Sequence, residues 1–319
     1  MQKHANLGAS KAHRWLHCPA SVAIESTIPD TSSFYAEEGT AAHSLAEMCL
    51  ESQQPPESYI GVEVDGFMVD KIMAYHVAEY VDYCNAIEGK KFYELRVDYS
   101  DYAEGGFGTA DCVVQQGNVL HVIDLKYGSG VKVSAQQNEQ LMMYAVGALM
   151  SEKIKKVDTV HMTIVQPRMD NIDTYKLAAK DVLKWAEEIV RPAAIKATQP
   201  DAEFKPSTKA CRFCKAKSVC RALARHNYET TLSNFDNLNE PLVVQVPTSL
   251  TPHELGLLVP KMAPLISWAR AIEAHAKKVL DSGGIVDGYK LVAGRNRRSW
   301  ADEAEAQKVL KELIGDEGV

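Results

Sequence analysis

The chain is 319 residues long with a formal net charge of −7, 46% hydrophobic and 24% charged residues, the balance of a soluble globular protein and too acidic overall for a globally basic nucleic-acid binder, though a local basic patch is not excluded. No run reaches the ~20 apolar residues of a membrane helix, and Met1 to Asn6 show no signal peptide, so a cytoplasmic location is expected. Seven cysteines without a secretion signal argue against a disulfide framework and turn attention to metal or cluster ligation.

Residues 8–26 read as a helix opened by Ser10, with Trp15 and Leu16 among its apolar positions and a break near Pro19. A second helix is expected over 36–52, ended by Pro55-Pro56. A third spans 68–88, with Met68, Ile72, Tyr75 and Val77 among its apolar positions. The period then changes. Tyr93 to Tyr99 alternates apolar and polar residues as a strand does. Gly105-Gly106-Phe107-Gly108 is a turn, Thr109 to Gln115 and Val119 to Leu125 are strands, and Gly117-Asn118 joins them as a hairpin. After Gly128-Ser129-Gly130 a long helix is expected over 134–150, then strands at Thr159 to Val165 and Thr174 to Leu177, and a helix from Lys180 to Lys196.

This order predicts a mixed α/β core with helices packed on a sheet. Residues 198–225 form a cysteine-bearing segment, 251–282 read as helical, and Tyr289 to Ala293 as a strand. The expected organisation is a core over residues 1–228 that includes the cysteine segment, a linker over 229–250 and a helical accessory region over 251–319. No internal repeat or low-complexity tract is visible.

The chemistry concentrates in the hairpin. Asp111 opens one strand; Asp124 and Lys126 close the next and, two residues apart, share a face. Two antiparallel strands joined at Gly117-Asn118 bring both carboxylates and the ammonium to one end of the sheet. Hard carboxylate oxygens hold Mg²⁺ or Mn²⁺, such a cation polarises a phosphate and activates water, and a lysine beside it stabilises developing charge. A lone Asp-x-Lys would be an ordinary surface salt bridge. The apolar run Val119 to Ile123 before it, Gly108-Thr109-Ala110-Asp111 at hairpin distance and the helix bearing Gln140 and Tyr144 after it weigh against that.

The order Gly-x-x-Asp (Gly108 to Asp111), Asp-x-Lys (Asp124 to Lys126) and Gln-x-x-x-Tyr (Gln140 to Tyr144) resembles the RecB-like branch of the PD-(D/E)XK nucleases. The resemblance implies a restriction-endonuclease-like mixed sheet flanked by helices. It implies a catalytic set of Asp111, Asp124, Lys126 and Gln140, and a metal shell of His43, Asp111, Asp124 and the Leu125 carbonyl, His43 matching the branch's Gly-x-x-x-His element through Gly39. Glu38 is a weaker candidate. Tyr144 shares a helix face with Gln140 and is expected to pack or to contact the DNA strand.

Cys211-Arg212-Phe213-Cys214, with Cys220 after five more residues, can direct three thiolates at one metal centre. Cys18, in His17-Cys18-Pro19, is the best fourth. One cysteine before the core and three after it is similar to the iron–sulfur RecB-like nucleases, the AddB type and the CRISPR adaptation exonucleases. The resemblance implies a structural [4Fe-4S] cluster on Cys18, Cys211, Cys214 and Cys220, with Zn²⁺ as the alternative, closing a loop around nearly the whole core. Cys49, Cys84 and Cys112 lie in apolar patterns and are expected in the core.

Lys205 to Arg225 carries seven lysines and arginines and no acid. Lys209, Arg212, Lys215 and Lys217 are candidates for phosphate contact, as is Arg168, with Arg295, Arg297 and Arg298 secondary. Nothing suited to reading base edges is evident, so little sequence specificity is expected. Residues 7–300, including Ala9-Ser10, Arg14-Trp15-Leu16 and Asn138-Glu139-Gln140-Leu141, also resemble an uncharacterised phage- and prophage-associated family of the same superfamily. The implied function is a metal-dependent DNA nuclease, an exonuclease in phage or prophage replication or recombination within a bacterial or phage-infected cell. A recombinase, single-strand-binding protein or helicase would be its partner. The alternatives are a non-catalytic DNA-binding or scaffolding relative and a metalloenzyme of small phosphoesters.

Overall fold

In a computed structural model of the protein, residues 5–29, 33–232 and 252–292 are described. The chain divides into two units, Met1–Trp268 and Ala269–Val319.

The first unit opens with two short helices, α1 (Ala12–Trp15) and α2 (Ser21–Ser26), separated at Cys18-Pro19. The single helix expected over 8–26 is thus two pieces, and the break at Pro19 is where it was expected. Helix α3 (Phe34–Ser52) starts two residues earlier than its apolar pattern suggests, because Ser33 Oγ accepts the Ala36 N–H. A small hairpin, β1 (Glu63–Val64) with β2 (Phe67–Met68), then takes residues expected to begin the third helix. That helix, α4 (Lys71–Ala86), starts instead behind Asp70, whose carboxylate accepts the Met73 N–H at 2.7 Å. Its buried face is Met73, Val77, Tyr80, Val81 and Cys84, so Met68, Ile72 and Tyr75 lie exposed, contrary to their expected role.

Five strands follow in spatial order β3 (Lys90–Asp98), β4 (Phe107–Gln116), β5 (Val119–Leu125), β6 (Thr159–Gln166) and β7 (Asn171–Ala178). Only β5–β6 is parallel, and α5 (Glu139–Met150) makes that crossover. Helix α6 (Ala179–Trp185), a π turn and α7 (Arg191–Ala197) complete the core. Asn138 Oδ1 accepts from Gln140 N and Leu141 N, so α5 starts at Glu139 and not at 134.

Each sheet face is covered. Leu120 and Val122 pack with α5, α6 and the N-terminal segment around Trp15, whereas Ile123 and Leu125 pack with α3 and α4, together with Cys49, Cys84 and Cys112. The near-continuous apolar run of β5 follows from this burial on both sides. Helices α8 (Thr208–Cys211) and α9 (Arg221–Leu232) carry the cysteine segment. The N-terminus is stitched to it: Ala20 N donates to Glu203 O at 3.2 Å, Lys215 N to Glu25 Oε1 at 2.9 Å, and Arg14 forms an ion pair with Glu25 at 3.1 Å.

The expected linker over 229–250 begins as the end of α9, and its residues 233–250 lie outside the described residues, as do Ala293, Arg295, Arg297 and Arg298. Helix α10 (Pro252–Asp281) bears out the helical reading of 251–282. In the second unit, Lys277 pairs with Asp281, and residues 289–292 form no strand, against expectation. Among the described residues no helix is long and apolar enough to cross a membrane.

Candidate functional site

The β4–β5 ladder ends at Cys112 opposite Ile123. The next rung would set Asp111 against Asp124, and there the strands part. Asp111 Oδ2 takes over the backbone's partner, accepting the Leu125 N–H at 2.8 Å, while His43 Nδ1 of α3 lies 3.3 Å from the same oxygen. Asp124 is engaged from α5. Gln140 Nε2 donates to its Oδ1 at 3.0 Å, and the Lys126 ammonium sits 2.7 Å from its Oδ2. Lys126 Nζ also donates to Gln140 Oε1 at 2.9 Å, closing a triangle of carboxylate, ammonium and amide. Lys126 is held along the sheet because its own N–H donates to Val165 O of β6 at 2.8 Å.

The two carboxyls are driven apart electrostatically. Burial raises both; for Asp111 the His43 imidazole, the Lys126 ammonium and the Leu125 N–H outweigh it and hold the carboxyl below its usual range. For Asp124 burial wins over Lys126, helped by the Asp111 charge, and its pKa lies above the ordinary value. His43 shows the converse: burial lowers it, Asp111 outweighs that, and its pKa ends raised.

Two neighbours support this arrangement. Tyr144 is 6% exposed and accepts a hydrogen bond from Gln140 Nε2 at 2.9 Å, so of the two roles expected of it the structure shows packing beneath Gln140 and not contact with a DNA strand. Gly108 explains the first residue of the Gly-x-x-Asp pattern. A Cβ there would lie 2.9 Å from the Tyr144 ring and 3.1 Å from Ala9 Cβ.

One residue escaped the sequence reading. Glu94 of β3 stands at the rung opposite Asp111, and the pairing skips it: Tyr93 pairs with Cys112 and Leu95 with Ala110. Its φ of 42° is left-handed. The alternation of both strands changes phase here. Cys112 and Val114 face α3 and α4, whereas Ala110, of the same parity, joins the core under α5; likewise Tyr93 and Leu95 fall on different sides. Burial, then the Asp111 charge and Glu47 on α3, push the Glu94 carboxyl up to about 7.

Among the described residues no three His, Cys, Asp or Glu form a preassembled ligand set, the cysteines included, and Asp111 and Asp124 are each engaged within the protein. The donors nevertheless suit a hard divalent cation. Asp124 Oδ2 is buried with no directed hydrogen bond and lies 2.7 Å from the Lys126 ammonium, which leaves lone pairs for a metal.

Cys18, Cys211, Cys214 and Cys220 all line one small pocket between α2 and α8, with Phe204, Ile24 and Leu223 as its apolar wall. Lys205 N donates to Cys18 Sγ at 3.3 Å and Leu223 N to Cys220 Sγ at 3.4 Å, the N–H···S contacts that stabilise thiolates. Burial pushes the Cys18, Cys211 and Cys214 thiols up, Cys214 to about 12, so without a bound cation they stay protonated. The four residues are free cysteines and fit a thiolate-bound centre.

The expected phosphate contacts are placed unevenly. Arg168 pairs with Glu38 at 3.0 Å and stacks 5.0 Å over Tyr127, the residue after Lys126. Lys209 is paired with Glu139. Lys217 turns inward, lining the cysteine pocket and donating to Ser267 Oγ at 3.1 Å, which corrects its expected place on a DNA-facing surface. Arg212 is exposed beside Phe213, and Lys215 is held near Glu25 through its backbone.

A solved structure titled "Crystal structure of SSO0001" is 12% identical, covering 70% of this chain and 89% of that chain with a TM-score of 0.32. The family model described as "Protein of unknown function (DUF2800)" matches residues 4–317, which takes in every residue of the hairpin site and all four cysteines of the pocket. The chain that builds this site is therefore a member of the DUF2800 family.

Proposed function

We propose that this protein is a Mg²⁺- or Mn²⁺-dependent deoxyribonuclease of the RecB-like PD-(D/E)XK kind, an exonuclease serving phage or prophage DNA replication or recombination. The observation that carries the reading is the single contact chain from His43 through Asp111 to the Leu125 N–H, with Asp124, Lys126 and Gln140 interlocked beside it.

Asp111, Asp124, His43 and the Leu125 carbonyl would hold the metal. When bound, it supplies polarisation of the phosphate and a lowered pKa for water. Lys126 brings a fixed positive charge to where phosphate oxygens gain negative charge. Gln140 holds Lys126 and Asp124 in register through both ends of its amide, and Tyr144 holds Gln140. His43 compensates Asp111 from the α3 side. Cys18, Cys211, Cys214 and Cys220 would hold a [4Fe-4S] cluster, with Zn²⁺ as the alternative, tying the start of the chain to its far segment. DNA is contacted along its backbone with little sequence preference, Arg168 and Arg212 being the candidates for phosphate.

The test is degradation of linear single- and double-stranded DNA by purified protein in Mg²⁺ or Mn²⁺. Activity is expected in the natural protein and lost in Asp124→Ala and Lys126→Ala proteins that still fold. Protein that binds both DNAs, stays folded and cuts neither would replace this reading with a non-catalytic DNA-binding or scaffolding role. Broad visible absorbance lost in Cys214→Ser protein identifies iron–sulfur; a colourless protein with one zinc per chain identifies the alternative.

A further inference from the structure

Three segments distant in sequence meet at one oxygen atom. His17 Nε2 lies 2.9 Å from Glu139 Oε1, and Lys209 Nζ contacts the same Oε1. Each of the three residues adjoins one that matters. His17 precedes Cys18. Lys209 lies two residues before Cys211 on α8. Glu139 precedes Gln140 and is the first residue of α5. Glu139 is only 13% exposed, and its partners His17 and Lys209 are 40% and 52% exposed. The carboxylate, not its partners, is the centre of the arrangement.

We propose that Glu139 is a positioning residue that couples the cysteine-lined pocket to the active-site amide of Gln140. The geometry has two halves. On one side, Cys18 and Cys211 both line the pocket, and His17 and Lys209, which stand one and two residues before them, contact Glu139. On the other, the first turn of α5 carries Gln140, whose side chain holds Asp124, Lys126 and Tyr144 at 3.0, 2.9 and 2.9 Å. Asn138 caps that turn from within, through Gln140 N and Leu141 N, but its cap ties α5 only to its own loop. Among the contacts of α5's first residues, Glu139 is the one that reaches the cysteine segment. A negative charge at a helix N-terminus is also favoured by the helix dipole, so the same carboxylate serves both roles. Releasing His17 and Lys209 leaves this carboxylate without its partners and lets the turn, and Gln140 with it, shift off Asp124 and Lys126.

The proposal rests on reading Gln140 as part of the active site, but its test does not need activity. Hydrogen exchange of peptide 139–145 is followed in the full chain for Glu139→Ala, Cys211→Ser and the double variant. Glu139→Ala is expected to speed exchange of the Gln140, Leu141 and Met142 amides by about tenfold while β5 residues 120–123 keep natural protection. Cys211→Ser should do the same by loosening α8, and the double variant should exchange no faster than either single one. Should Glu139→Ala not fold, Glu139→Gln and Lys209→Ala, which keep bulk or alter only an exposed side chain, take its place. Natural exchange in the Glu139 variants, or effects that add, would overturn the coupling. In the DNA assay, kcat should fall about tenfold to a hundredfold with KM within about twofold, as for misplacement of a reacting group. Absence of cleavage in natural protein with the exchange coupling intact would sink only the nuclease reading; full cleavage and natural exchange in Glu139→Ala would sink only the coupling.

Discussion

Glu94 and Asp111 face each other at the one rung between Lys90 and Asp98 where β3 and β4 are unpaired. The acid on the left-handed backbone is held half-buried beside a second acid that has its own cationic partners, so Glu94 yields first and keeps its proton. Its folded pKa of about 7 stands above the ordinary 4.5. A carboxyl with a raised folded pKa favours folding fully below the unfolded value, and that contribution is lost as pH rises through the folded one. Stability should therefore fall between pH 4.5 and 7 on account of Glu94. Glu94→Gln should flatten this slope and gain roughly 1–2 kcal/mol at pH 8 after allowance for solvent screening. Urea titrations at pH 5 and pH 8 decide it; identical slopes in both proteins would show that Glu94 is solvated.

The Asp124–Lys126 pair is buried on its acidic side, Asp124 being 1% exposed. Removing only the cation strands a carboxylate in the core. Lys126→Ala should cost roughly 3 kcal/mol, whereas Asp124→Asn with Lys126→Met should recover most of that. A double variant as unstable as Lys126→Ala would mean that the loss comes from packing of the lysine stem.

Gly108→Ala sets a methyl group against the Tyr144 ring. The ring cannot retreat without disturbing its hydrogen bond to Gln140, so roughly 1–3 kcal/mol of stability should be lost. A partner change, Tyr144→Leu, should relieve the strain. Melting temperatures of the two single variants and the double variant measure it, and strict additivity would rule out the contact.

Gln166 is 1% exposed and uses its amide on the loop that follows Tyr127. It donates to Gly128 O at 2.6 Å and Val131 O at 2.9 Å and accepts from Val133 N at 3.0 Å, while Asn171 donates to Val133 O at 2.8 Å. Gln166→Leu should leave these groups unsatisfied at a cost of roughly 3 kcal/mol, with faster hydrogen exchange confined to residues 128–135. Unchanged protection of that loop would show that Asn171 alone holds it.

Much of this was readable in the chain. The run Val119 to Leu125, the Gly117-Asn118 turn and the antiparallel pairing of the two strands follow from strand period and hairpin arithmetic, and the structure keeps them; β4 starts at Phe107, inside the expected turn, so Asp111 lies within the strand and Lys126 follows the end of β5. The clustering of Cys18 with the later three cysteines came from resemblance, and no local pattern in residues 8–26 states it. Glu94 was hidden because it shares parity with Arg96 and Asp98, which reads as the wet side of a strand; a positive φ imposed by tertiary contacts leaves no mark in the local sequence. The starts of α4 and α5 could have been found, since Asp70 and Asn138 are ordinary capping residues. Apolar counting misleads at Met68, which lies in the β1–β2 hairpin before the helix, and at Ile72 and Tyr75, which lie on the exposed face of α4.

The bond from Lys205 N to Cys18 Sγ spans 187 positions. During synthesis, at 5–20 residues per second, the first twenty residues must wait roughly 10–40 s before the segment they dock on leaves the ribosome. The segment around Cys18 thus takes its final seat only after residues up to Lys205 have been made.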